Sequence, residues 1–180
     1  KELGAKALKI NIVSCVSRGE TMKSKGELLS NQEILEMREV VYDLEKKHNY
    51  NIILDIPPAF KPLSRLKGRI GMCGIKRMIG ILSDGKVSIC GIGSNVEELV
   101  FGDISKDSIA DIWNNNEILK MLREELPEKL EGICGKCILK YCCLGKCRAA
   151  AFWTSRSLFS PFEFCQEIYE SGLFPGDMII

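Results

Sequence analysis

Residues 132–147, GICGKCILKYCCLGKC, constrain the fold of this chain more than any other stretch. Five of the nine cysteines fall within these sixteen positions. Four of them, Cys134, Cys137, Cys143 and Cys147, read C-x2-C-x5-C-x3-C. Thiols this close in sequence let one loop present several thiolates to an inorganic centre. Nine is odd, so the cysteines cannot all pair within the chain. A dense pattern that contains C-x2-C, with nothing suggesting secretion, points to metal or redox use ahead of a disulfide scaffold. Iron–sulfur ligation is the leading reading and zinc the second.

The 180 residues suffice for one medium domain or two small ones sharing a core. Lysine plus arginine (25) nearly balances aspartate plus glutamate (24). That balance leaves no footprint for nucleic acid or an anionic membrane. No apolar run reaches the roughly 18 residues a membrane span needs. No secretory leader is visible, so a cytoplasmic location is expected. The sequence begins with Lys1 rather than Met and leads almost at once into an apolar strand. This predicts a piece of a longer protein.

Residues 7–13 are β-rich and only partly alternating, which predicts a strand buried on both faces. A polar loop is expected from Ser17 to Leu29. Ser30 followed by Glu33 is a capping box and starts a helix at Asn31. Ile34, Met37, Val41, Leu44 and His48 then recur at helical spacing as one apolar stripe. His48, the one histidine, reads as the end of that stripe rather than as a ligand. Residues 51–56 form a second strand, stopped by Pro57 and Pro58. Strand, helix, strand is the unit of a parallel α/β sheet, and one unit leaves its edges exposed. The isolated chain is therefore expected to be sticky or to pair with itself. Cys15 ends the first strand, where α/β sheets place their sites, but reads first as a buried structural thiol.

Cys73 lies in a glycine-bracketed loop between Gly71 and Gly74. Strands are expected over 76–82 and 86–90, joined at Ser83-Asp84-Gly85, since Asp-Gly is a strong hairpin signal. That hairpin lets Cys73 and Cys90 face one site. Gly91-Ile92-Gly93 lacks the third glycine and following helix of a nucleotide loop. Residues 95–100 are a connector, and Asp107 caps a helix over 108–113, with Trp113 as a core anchor. A second helix runs over 117–126, with Leu119, Leu122 and Leu126 inward and Pro127 ending it. Residues 148–153 form a short apolar helix, and Cys165 follows. Lys136, Lys140, Lys146 and Arg148 cluster among the cysteines, as cluster-stabilising cations or as a solvated basic rim. The apolar end, Met178 to Ile180, is expected to pack on the core.

Assembled, the cysteines read C-x11-G-x4-C, a gap, C-x2-C-x5-C-x3-C, a gap, C. This string resembles the SPASM domain, the auxiliary-cluster domain at the C-terminal end of radical S-adenosylmethionine peptide maturases. All seven positions match: Cys73, Cys90, Cys134, Cys137, Cys143, Cys147 and Cys165. The resemblance covers residues 70 to 170. It implies an α+β fold, with one βαβ-like unit of a partial (β/α) barrel over 1–65. The SPASM domain would span 66–180, a β-hairpin and helices wrapped round two 4Fe–4S clusters. By analogy Cys134, Cys137, Cys143 and Cys165 bind one cluster. Cys73, Cys90 and Cys147 bind the other, which keeps an iron open or takes Cys15 or Cys142. Cys142 is also an alternative to Cys143.

The resemblance further implies a parent enzyme whose S-adenosylmethionine yields a 5′-deoxyadenosyl radical that abstracts hydrogen from a peptide or protein substrate. The auxiliary clusters would take up an electron or anchor substrate, and an electron donor and an upstream barrel would be partners. Residues 12–18 would lie near the adenine of the cofactor. The radical-generating C-x3-C-x2-C motif is absent from these residues, so this stretch alone is not expected to cleave S-adenosylmethionine. The rival reading is a non-catalytic, ribbon-like zinc module built on Cys134, Cys137, Cys143 and Cys147. A ferredoxin-type carrier is disfavoured, because its C-x2-C-x2-C-x3-C spacing is not matched.

Overall fold

The computed structural model describes residues 4–66 and 73–180. Lys1 and the expected glycine bracket at Gly71 lie outside them. The architecture is mixed, with eight α-helices and two small sheets among the described residues. None of these helices is long and apolar enough to cross a membrane.

Strand β1 (Leu8–Asn11) pairs in parallel with β2 (Ile52–Asp55), Leu8 opposite Ile52 and Asn11 opposite Asp55. Two helices connect them. The first, α1 (Arg18–Ser24), falls where a polar loop is expected, and its chain entry is tight, with Ser17 at φ 54°. The second, α2 (Asn31–His48), begins at the predicted capping box. Ser30 Oγ accepts the Glu33 amide at 3.2 Å, and Glu33 accepts the Ser30 amide at 2.7 Å. Ile34 and Val41 are buried, whereas Leu44 and His48 lie on the exposed side of the last turns. The first strand is not buried on both faces: Leu8 is 50% and Val13 47% exposed. Two strands alone cannot enclose it, and nothing among the described residues covers the outer face of β1.

The hairpin is shorter than expected. Residues 76–79 form a turn and its exit, so β3 covers only Gly80–Ile81, and β4 is Lys86–Ser88. Gly85 takes φ 87° in the connecting turn, as Asp-Gly predicts. A third strand, β5 (Val100–Asp103), begins where the expected 95–100 connector ends and pairs antiparallel with β4. Helix α3 (Ile109–Asn115) is capped by Ser108, not Asp107; Asp107 instead accepts the Asp103 amide at 2.8 Å. Helix α4 (Glu117–Glu124) ends before Leu126, yet Leu119, Leu122 and Leu126 all point inward. Trp113 is half-buried under the Arg123 guanidinium rather than a deep anchor.

The last third is a run of short helices: α5 (Gly132–Lys136), α6 (Lys140–Cys143), α7 (Arg148–Ser155) and α8 (Glu163–Glu170). An apolar cluster ties them to the first unit, joining Ile34, Val41, Leu54 and Phe60 to Ile133, Ile168, Phe174 and Met178. Phe60 meets Phe164 and Phe174 edge-to-face at 5.1 and 5.4 Å. A second cluster gathers Ile75, Ile89, Leu99, Leu122, Leu126 and Leu130. The C-terminal tail is laced along the cysteine loop. Ile138 N donates to Met178 O, and Ile180 N to Lys136 O, both at 2.9 Å. Met178 is buried as expected, but Ile180 is exposed.

Candidate metal centres

Of the seven matched cysteines, Cys137 and Cys165 belong to the first apolar cluster, and Cys134, Cys73, Cys90 and Cys147 lie in or against the second. Cys134 sits on α5 and Cys137 caps its end, while α5 packs against α8, which carries Cys165. Ile133 N donates to Gln166 Oε1 at 3.0 Å and fixes that pairing. Cys143 closes α6. These four thiols line one small cavity with apolar walls from Pro57, Ala59, Ile133 and Phe174. Cys142 does not line it, so of the two adjacent cysteines it is Cys143 that joins the group.

Burial pushes the Cys143 thiol up to about 11, and the neighbouring Cys134 charge adds to it. Cys165 is raised well above its ordinary value, by burial first and then by Cys134, Cys143 and Cys137. Cys134 and Cys137 are also raised by burial. Backbone amides work the other way: Phe162 N donates to Cys134 Sγ at 3.4 Å. Thiols so placed are held apart from water until an electrophilic centre takes their protons' place.

The second set is Cys73, Cys90 and Cys147, all packed against the second apolar cluster. Burial raises Cys73 and Cys147, and each is further raised by Cys90. Gly93 N donates to Cys90 Sγ and Ala150 N to Cys147 Sγ, both at 3.4 Å. Cys147 caps α7, so its sulfur occupies the positive end of that helix. Of the thiols suggested as a fourth member, Cys15 shares the large cavity with Cys147, and neither Cys15 nor Cys142 is among the main charges acting on Cys73 or Cys147. The charges acting on Cys15 are Glu163, Lys23, Glu167 and Glu20, and Cys142 stays on half-exposed α6.

A left-handed turn separates the two sets. Leu144, Gly145 and Lys146 take φ of 52°, 70° and 61° in succession. For a residue with a Cβ this conformation costs roughly 1–2 kcal/mol. The turn sends Cys143 into one set and Cys147, four residues on, into the other. Lys146 Nζ reaches Asp55 Oδ1 at 2.5 Å and ties the turn to the end of β2.

The expected basic cluster disperses. Lys136 lies exposed, 5.7 Å over the Tyr169 ring, and Lys140 donates to Gly135 O at 3.3 Å. Arg148 is wholly buried. A charge opening an otherwise apolar helix (Arg-Ala-Ala-Ala-Phe-Trp) was the sequence signal for this, but burial itself is a tertiary property. A cavity of about 520 Å³ opens at the C-terminal ends of β1 and β2. Ile12, Val13, Ser14 and Cys15 line one side and Lys146, Cys147 and Ala150 the other.

Among the described residues, no three His, Cys, Asp or Glu side chains converge on a point that would hold a single metal ion. A cubane asks for something different, because each thiolate binds its own iron at a separate corner. Cysteine-only donors, three buried and four partly buried, with amides directed at sulfur and apolar walls, suit such a group.

Fold and site together present groups of cysteine thiols whose chemistry suits iron–sulfur ligation. Residues 73–138 match the SPASM family, an iron–sulfur cluster-binding domain. The AdoMet-dependent heme synthase of Methanosarcina barkeri is 33% identical over 105 residues, 58% of this chain and 26% of that protein. The mycofactocin maturase MftC of Mycobacterium tuberculosis is 30% identical over 97 residues, 53% of this chain and 24% of that protein. The match thus spans about a quarter of each relative's length. No solved structure gives a significant match. Over residues 73–138, then, this chain resembles a SPASM iron–sulfur domain of the kind found in radical S-adenosylmethionine maturases.

Proposed function

We propose that residues 66–180 bind two 4Fe–4S clusters and serve as the auxiliary-cluster domain of a radical S-adenosylmethionine enzyme that modifies a peptide or protein. Residues 1–65 are then the end of its partial barrel. Cys134, Cys137, Cys143 and Cys165 hold one cluster. Cys73, Cys90 and Cys147 hold the other, which keeps one iron free of protein thiolate. The observation that carries this reading is the division of one sixteen-residue loop between two thiol sets. Bound, the clusters supply one-electron transfer or an anchoring iron.

The protein's own part is to bury the sulfurs, direct amides at them and keep water out. The large cavity supports a place for cofactor and substrate, because it runs from the strand ends to Cys147 of the three-thiol set. The names of the two relatives point to different products, haem and mycofactocin. The cysteine framework is therefore read as electronic machinery, and the substrate as selected elsewhere. The peptide assignment rests on the maturase resemblance, and an electron donor completes the cycle.

The zinc-ribbon reading needs Cys134, Cys137, Cys143 and Cys147 at about 2.3 Å from one ion. It is disfavoured because Cys147 associates with Cys73 and Cys90, and it leaves Cys165 without a role. Anaerobically reconstituted protein is expected to bind about eight iron and about eight sulfide per chain, in two cubanes. Colourless protein with stoichiometric zinc would overturn the proposal.

A further inference from the structure

Arg148 is the one charged side chain among the buried residues described, at 0% exposure. Its position is unfavourable on local grounds. It opens α7, and a helix N-terminus repels a cation. No carboxylate pairs with it among the described residues, although eight other ion pairs form. Its guanidinium donates only to carbonyls: Leu158 O at 3.0 Å, Ser160 O at 2.7 Å, and Gly145 O. Carbonyls orient a cation without neutralising it, and Nε has no hydrogen-bond partner among the described residues. A buried charge left in this state is strongly destabilising unless an anion compensates it.

The anion's place follows from the neighbours. Gly145, whose carbonyl holds the guanidinium, lines the four-thiol cavity, and Cys147 of the other set immediately precedes Arg148. Cys134, Cys143, Cys147 and Cys165, drawn from both sets, are the groups whose charge acts on it. The glycine at 145 is shaped to this contact, since a Cβ there would meet Arg148 Cζ and Nη2 at 2.5 Å.

We propose that Arg148 is the shared counter-charge of the two centres, a positioning residue whose guanidinium raises the reduction potential of both. The inference rests on the two-cluster reading. A thiolate-ligated cluster is anionic, and a fixed cation beside it favours the state with one more electron. One arginine between two such groups shifts both together, whereas a surface lysine would be screened by water.

The test is a redox titration, followed by electron paramagnetic resonance, of anaerobically reconstituted protein. In Arg148→Gln the reduced-to-oxidised ratio at a fixed potential falls about tenfold for each cluster, about 59 mV for a one-electron couple. Arg148→Lys keeps the wild-type ratios, and Arg156→Gln, an exposed cation at the end of α7, leaves them unchanged. Two clusters in Arg148→Gln with unaltered ratios, or a shift in only one, would overturn the proposal. Should Arg148→Gln hold no iron, Arg148→Lys decides. Retained iron with wild-type ratios supports the proposal, and a shift of about tenfold, or loss of iron there too, assigns Arg148 to packing alone. Absence of clusters from the wild-type protein would instead defeat the two-cluster reading itself.

Discussion

At the scale of single residues, burial governs how these thiols titrate, and the sign is definite. Cys143 has a folded value of about 11 against an ordinary 9.0, and burial raises Cys165 well above 9.0 as well. Below 9.0 the thiols are neutral in both the folded and the unfolded metal-free chain. As pH rises past 9.0 the unfolded chain ionises first and folding loses free energy until the folded thiols also ionise. The thermal midpoint of the metal-free chain is therefore expected to be level near neutrality and to fall between pH 9 and 11, followed by circular dichroism. A midpoint that stays constant over that range would contradict the burial of Cys143. The positions of the seven cysteines were legible in the sequence because spacing along the chain is covalent information. The burial of Arg148 was not, since its partners Leu158 and Ser160 are supplied by chain ten and twelve residues away.

At the scale of elements, what the sequence made legible was local chemistry. Ser30 and Glu33 announce α2, and Asp84-Gly85 announces the turn between β3 and β4. Ser30→Ala removes an acceptor for the Glu33 amide and should cost about 1 kcal/mol. For a chain of this length that lowers the thermal midpoint by roughly 2–4 °C. Iron content should be unchanged, and a loss of iron would mean that α2 supports the thiols directly. Elements without a local signature were missed. Strand β5 exists because β4 offers it an edge, with a bulge at Val87 and Ser88 that no composition reveals. Helix α1 replaced a polar loop because its packing, with Trp153 Nε1 donating to Glu20 at 3.1 Å, comes from a distant segment. The left-handed turn at Leu144, Gly145 and Lys146 was half legible: the glycine invites it, but Leu144 and Lys146 argue against it. That strain sits where the loop must change direction between two sulfur sets, which gives it a reason to persist.

At the scale of the whole molecule, the βαβ-like unit and the cysteine region share one apolar cluster. Phe60 is the clearest link, buried at 3% exposure against Phe164 and Phe174. Phe60→Ala should cost about 3–5 kcal/mol and split one cooperative unfolding transition into two. Calorimetry would register this, and a single transition with an unchanged midpoint would mean the two regions fold independently of that contact. The α+β character and the parallel pairing of the two N-terminal strands were readable from pattern. The extent of their exposure was not, because burial on both faces is a tertiary property that a local pattern does not specify. On the proposed reading the loop at 132–147 bridges two clusters rather than forming a self-contained site. The most direct measurement of that claim compares Cys143→Ala with Cys147→Ala after anaerobic reconstitution, by iron analysis and Mössbauer spectroscopy. Each variant is predicted to retain about four iron in one cubane, and the two surviving clusters should differ spectroscopically. Loss of the same cluster in both variants would contradict the account.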